Sequence, residues 1–300
     1  MYSLQAQKKQ SSQFLKGWLL VIGGAAFWGT VGLFVQNLYE YGFKPADLAS
    51  LRLIAAALIL IGYSRITEPG GLKLRSWRDV LLFIGTGSIS IALFNLFYFS
   101  SIGEIGMSLA VVLVYTGPGF VILFGRIWFK EPVTFIKLLS LLLMLIGVAM
   151  VSDVRPTGVD NVSIYGALLG VGAGASFALF NLIGKYAMNR YSSLTVVIYT
   201  FLFSGFTLLP FTSLPELAPV IIQPLPLMWL AGLTVFPTLL AYILYTNGLR
   251  YMEAGRASIT GVSEILMAIF LGILVFGESL TLYQIAGMIL VISAMLLIRR

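Results

Sequence analysis

The chain has 300 residues, 59% of them hydrophobic and 10% charged, with a mean hydropathy of +0.96 and a formal net charge of +7. So little polar surface cannot cover a water-soluble globule, and the composition points to a membrane protein. Zero cysteine and zero histidine exclude disulfides, thiolate and imidazole metal sites and the commonest general acid-base group, which weighs against a hydrolase or redox enzyme and predicts neither metal nor cofactor.

A tail over 1–16 carries Lys8, Lys9 and Lys16. Apolar runs of bilayer-crossing length, about 17 to 25 residues, follow near 17–38, 46–64, 79–101, 105–127 and 134–151. After a linker at 152–162, five more lie near 163–184, 194–211, 226–248, 254–276 and 281–298. The first run is not a signal peptide, because no small-residue cleavage site ends it and further spans follow. The expected fold is an all-α integral membrane protein of ten transmembrane helices.

The stretch from Tyr98 to Thr134 recurs from Tyr245 to Thr281 at a constant shift of 147, with identities at Tyr98/Tyr245, Ala110/Ala257, Ile122/Ile269, Gly125/Gly272, Phe129/Phe276, Glu131/Glu278 and Thr134/Thr281. Near the start of each half a shift of 149 sets Gly17 on Gly166, Gly23 on Gly172, Trp28 on Phe177 and Leu33 on Leu182. The chain therefore reads as two five-helix repeats, 17–151 and 163–300. An odd number of spans per half makes the second repeat inverted, and inverted halves place a binding site near the midplane between two arrangements open to opposite faces.

Lysine and arginine set the orientation. With the N-terminus in the cytoplasm, that side collects Lys8, Lys9, Lys16, Arg65, Lys73, Arg75, Arg78, Arg126, Lys130, Lys137, Lys185, Arg190, Arg250, Arg256, Arg299 and Arg300, while Lys44 and Arg155 fall outside and Arg52 inside a span. Both termini are expected in the cytoplasm of a multi-pass cell-membrane protein. The basic charge belongs to the cytoplasmic leaflet and not to nucleic-acid binding.

With that pattern in view the chain resembles the EamA family of the drug/metabolite transporter superfamily. The matching features are Trp28-Gly29 in the first span, Arg52 in the second, Pro118 in LVYTGPGFVILF, and Glu131 in FKEPVT with Glu278 in FGESLT. The family carries Glu-Pro in its ninth span, where this chain has Glu264-Ile265, without the helix-breaking proline. The resemblance implies the ten-span fold and export of amino acids, other small metabolites or drugs.

Glu264 lies mid-span, where an ionised carboxylate is expensive unless it faces a partner or a wet cavity, so it is the first candidate for substrate or proton binding. Arg52 is a possible charge partner, though it can also snorkel outward. Asn95 and Tyr98 share a helix face and map onto Tyr242 and Tyr245. Trp28, Tyr115 and Asn181 complete the candidate substrate-binding set. Trp28, Gly32 and Gln36 form a stripe whose counterpart is Phe177, Asn181 and Lys185. Glu131 and Glu278 are expected to cap the helices that follow them, Pro118 and Pro237 to mark helix breaks, and Gly255, Ser258 and Gly261 to form a packing surface.

The expected function is secondary active export of small organic solutes by alternating access, with a passive channel or a broad drug-efflux carrier as the alternatives. The implied partners are a small-molecule substrate, the lipid bilayer, and protons or a counter-substrate for coupling.

Overall fold

A computed structural model describes residues 2–154 and 162–299. Arg155, Arg300 and most of the expected linker lie outside the described residues. All regular structure among the described residues is helical.

Helix α1 (Tyr2–Trp28) ends at Gly29-Thr30 and α2 (Val31–Tyr39) continues the first span, with the Thr30 hydroxyl closing onto the Phe27 carbonyl at 2.7 Å. The expected tail is thus the first turns of a helix that enters the span without interruption. α3 (Pro45–Thr67) carries Asp47 in its first turn, and this carboxylate accepts the Lys44 amide at 2.8 Å and the Ser213 amide at 2.6 Å. The third span is α4 (Val80–Ile84) and α5 (Leu93–Ile105), joined through π-helical turns over Gly85–Ala92. The fourth is α6 (Met107–Val114) and α7 (Gly117–Phe129), and α8 (Phe135–Val151) follows.

The second half opens with α9 (Ile164–Ala187) and α10 (Ser193–Leu208), and the short α11 (Leu214–Ile221) leads to α12 (Pro224–Thr234). π-helical turns over Val235–Leu240 join α12 to α13 (Ala241–Leu249). The last elements are α14 (Ala254–Gly261), α15 (Glu264–Phe276) and α16 (Leu282–Ile298). Among the described residues, eight helical stretches are long and apolar enough to cross a membrane, and α8 and α16 are shorter apolar helices. Leu58, Leu123, Leu142, Leu282 and Ile289 point their side chains outward, each more than half exposed, as a chain solvated by lipid requires.

Since lipid is as apolar as leucine, the helices must associate by close packing, and small residues permit it. A Cβ on Gly147 of α8 would stand 2.8 Å from the Gly287 carbonyl of α16, and one on Gly287 would stand 2.7 Å from the Gly147 carbonyl. Gly255 and Gly261 do belong to a packed surface: Ile122 and Tyr245 sit 3.1 and 3.2 Å from the positions their Cβ atoms would take.

Three sequence expectations need correction. Pro237 does not break its span, because the missing amide is absorbed in π-helical turns where the Thr238 hydroxyl donates to the Leu233 carbonyl at 2.8 Å. The third span, without proline, has the same device, with Ser90 donating to the Gly85 carbonyl at 2.7 Å. The stripe of Trp28, Gly32 and Gln36 is cut by the break after Trp28, whereas Phe177, Asn181 and Lys185 stay on one unbroken helix. Thr134 and Thr281, not the glutamates, cap α8 and α16.

Candidate functional site

The apolar stretches Met107–Phe129 and Ala254–Val275 are both interrupted near their middles, the first at Tyr115-Thr116 and the second at Val262-Ser263. Pro118 sits in the first turn of α7, where its missing amide costs nothing. The second stretch breaks without a proline, and the break makes Glu264 the first residue of α15. A helix N-terminus favours negative charge, so a carboxylate there is partly compensated inside the membrane. Tyr115, the last residue before the other break, donates a 2.5 Å hydrogen bond from its hydroxyl to Glu264 Oε1.

Gly29 explains how the first span reaches this point. A Cβ there would lie 2.4 Å from the Glu264 carbonyl and 2.7 Å from Met267 Cβ, so only glycine lets the α1–α2 break touch the start of α15. Trp28 is thereby set into an aromatic cluster, with its ring 5.9 Å from Phe177, 5.1 Å from Tyr242 and 4.7 Å from Tyr245. Phe94 extends the cluster, 5.5 Å from Phe177 and stacked 5.7 Å from Tyr98.

The candidate residues fall into two layers. Trp28, Arg52, Tyr98, Tyr115 and Glu264 are partly accessible, whereas Asn95, Asn181, Tyr242 and Tyr245 are buried. In the buried layer the Tyr245 hydroxyl donates to Asn181 Oδ1 at 2.5 Å, and Asn181 Nδ2 donates to its own helix at Phe177. Asn95 likewise turns back to the Ile91 carbonyl at 2.7 Å and makes no side-chain hydrogen bond to another candidate among the described residues. Arg52 makes no ion pair or hydrogen bond through its side chain among the described residues, Glu264 included. Tyr242 is within electrostatic range of both charges. No group of metal-ligating residues occurs among the described residues.

Sequence reasoning missed the ion network at the face carrying the chain termini, where Arg299 lies over the Trp18 ring. Glu131 caps α14, not α8: it accepts Lys185 Nζ at 2.9 Å and the amides of Ala254 and Gly255 at 2.9 and 3.4 Å. Lys137, almost completely buried, reaches Glu253 at 2.8 Å. Asp79, equally buried, accepts Arg190 and the Tyr191 hydroxyl. Burial and the bond to Asp79 push the Tyr191 phenol above its usual value. The signal for Glu131 was present in Lys185, at the end of the Phe177–Asn181 stripe.

Broken spans that meet at a carboxylate and an aromatic cluster define a multi-pass membrane transporter rather than an enzyme. The chain belongs to the EamA-like transporter family, which matches residues 15–153 and 164–300. An uncharacterized transporter of Archaeoglobus fulgidus is 25% identical over 294 residues, covering 95% of this chain and 99% of its own. The uncharacterized inner membrane transporter YicL of Salmonella typhimurium is 26% identical, covering 94% and 95%. The threonine/homoserine exporter RhtA of Salmonella typhimurium is 29% identical, covering 82% and 79%. A solved crystal structure shares the fold, with a TM-score of 0.77 at 13% identity over 94% of this chain and 95% of its own.

Proposed function

We propose that the protein is a secondary active exporter of small organic solutes, amino acids or related metabolites, working by alternating access in the cell membrane. In this reading α8 and α16 complete ten spans, residues 17–151 and 163–300 form two inverted repeats, and both termini are cytoplasmic. The observation that carries it is Glu264, a carboxylate at an intramembrane helix start, held by Tyr115 beside the aromatic cluster. Arg52, within electrostatic range of Tyr242, offers a cation without a protein partner among the described residues. A carboxylate and a guanidinium beside an aromatic cluster suit a solute bearing both an ammonium and a carboxylate, each charge finding a counter-charge in place of water. The similarity to a threonine/homoserine exporter supports the same solute class. Trp28, Tyr98, Tyr115 and Glu264 contact the solute, Arg52 is its charge partner, and Asn95, Asn181, Tyr242 and Tyr245 form the floor beneath. Protons or a counter-substrate supply the coupling.

The test is uptake of a labelled metabolite panel by inverted membrane vesicles, with and without a pH gradient. Accumulation above equilibrium that collapses with the gradient or on removal of an exchange partner is expected. Equilibration that never runs uphill under either condition would make the protein a facilitator.

A further inference from the structure

The two copies of the repeated stretch fold into the same local turn, yet only one is engaged. In each, the residue before the glutamate is left-handed, Lys130 at φ 55° and Gly277 at φ 66°. In each, the glutamate amide donates to the carbonyl six residues back, Glu131 to Gly125 and Glu278 to Gly272, both at 3.2 Å. Both carboxylates fold back over that glycine. Glu131 is buried and bound to Lys185 and the α14 amides. Glu278 is exposed, and its side chain takes no hydrogen bond or ion pair from any described residue.

The shifts that relate the halves assign partners to Glu278. Ala254 and Gly255 correspond to Met107 and Ser108, the first residues of α6, whose amides have no acceptor within their own helix. Lys185 corresponds to Gln36, which is exposed and makes no side-chain hydrogen bond among the described residues. Burial follows the same asymmetry. From Ala254 to Ser263 every residue but Arg256 is buried, whereas from Met107 to Thr116 only Ala110 is. The bundle is therefore packed more tightly around α14, at the end carrying the termini, than around the related α6 at the opposite end.

We infer that Glu131 and Glu278 are alternating latches: when Glu131 releases Lys185 and the α14 amides, Glu278 docks onto the amides of Met107 and Ser108 and the side chain of Gln36, closing the opposite face. This rests on the alternating-access reading above. The two latches are unequal. Glu131 holds a cation, and Lys137, Glu253 and Arg256 brace the same face, whereas Glu278 meets only neutral donors. The protein consequently rests sealed at the face bearing its termini, since charge-assisted bonds are the stronger ones.

The chain has no cysteine, so single cysteines report each face without background. With vesicles oriented so that the face under test is turned to the reagent, a membrane-impermeant maleimide is expected to label Ser108→Cys and to spare Ala257→Cys. Adding Glu131→Gln should lower labelling of Ser108→Cys several-fold and expose Ala257→Cys, and adding Glu278→Gln to that background should restore labelling of Ser108→Cys. If Ser108→Cys stays protected without the Glu278 carboxylate, the latch is wrong while alternating access stands. If Glu131→Gln changes neither cysteine, the latches are wrong, and alternating access is then decided by the uptake test alone. Should Glu131→Gln fail to fold, Lys185→Met opens the same latch from its other side and is read identically.

Discussion

The hydroxyl of Tyr115 and the carboxylate of Glu264 meet at 2.5 Å although 149 residues separate them, and the bond ties the last turn of α6 to the first turn of α15. A hydrogen bond to a charged group contributes about 1.5–3 kcal/mol. Tyr115→Phe should therefore lower kcat/KM by about one to two orders of magnitude with folded yield retained, as initial rates in inverted vesicles will register.

Glu264→Gln keeps the size and removes the charge. It should insert normally and lose transport, or lose its pH dependence, while Glu278→Gln retains a measurable rate. Wild-type transport across the pH range in a well-folded Glu264→Gln protein would make the carboxylate structural and shift the search for the site to Trp28 and Tyr98.

Gly29 admits no side chain because the Glu264 carbonyl occupies the space. Gly29→Val should force the first span away from α15, with a loss of thermal stability in detergent and of transport together. Gly32, with open space around it, should tolerate Gly32→Ala with little change in either.

How much of this was legible in the sequence differed by feature. The helical stretches follow the apolar runs closely, because bilayer thickness dictates length and composition together. The interruptions did not show: Gly29-Thr30 and Val262-Ser263 carry no proline, and the π-helical turns over Gly85–Ala92 depend on a serine hydroxyl reaching its own backbone. Trp28, Tyr115, Asn181, Tyr242, Tyr245 and Glu264 were singled out as candidates because polar and aromatic side chains at mid-span stand out. Their sorting into an accessible and a buried layer depends on packing. Glu131 was misread since its partners lie 54 and 123 residues away, beyond any local rule for capping.

Asp79 lies outside the apolar core of its span and is buried with Tyr191, while its other partner, Arg190, is half exposed. Leaving the buried Tyr191 hydroxyl without its acceptor costs about 1–3 kcal/mol, so Asp79→Ala should lower the unfolding temperature in detergent. Tyr191 adds a pH dependence. Its folded pKa is raised above the usual value of about 10, so the folded state holds the proton more tightly than the unfolded one. The resulting stability is complete below pH about 10 and is lost as pH rises through the folded value. Tyr191→Phe should flatten that alkaline limb in a thermal-shift titration.

The proposed topology is checked with fused reporters. Those placed after Arg78, Lys130 and Arg190 should report cytoplasm, and those after Lys44 and Glu216 the outside. A same-side result for Arg190 and Glu216 would break the span count.

Where α8 meets α16, the backbones touch through Gly147 and Gly287, and neither helix contributes a candidate binding residue. On the alternating-access proposal, a seam this close is suited to serve as an axle, a fixed line about which the remaining helices would turn.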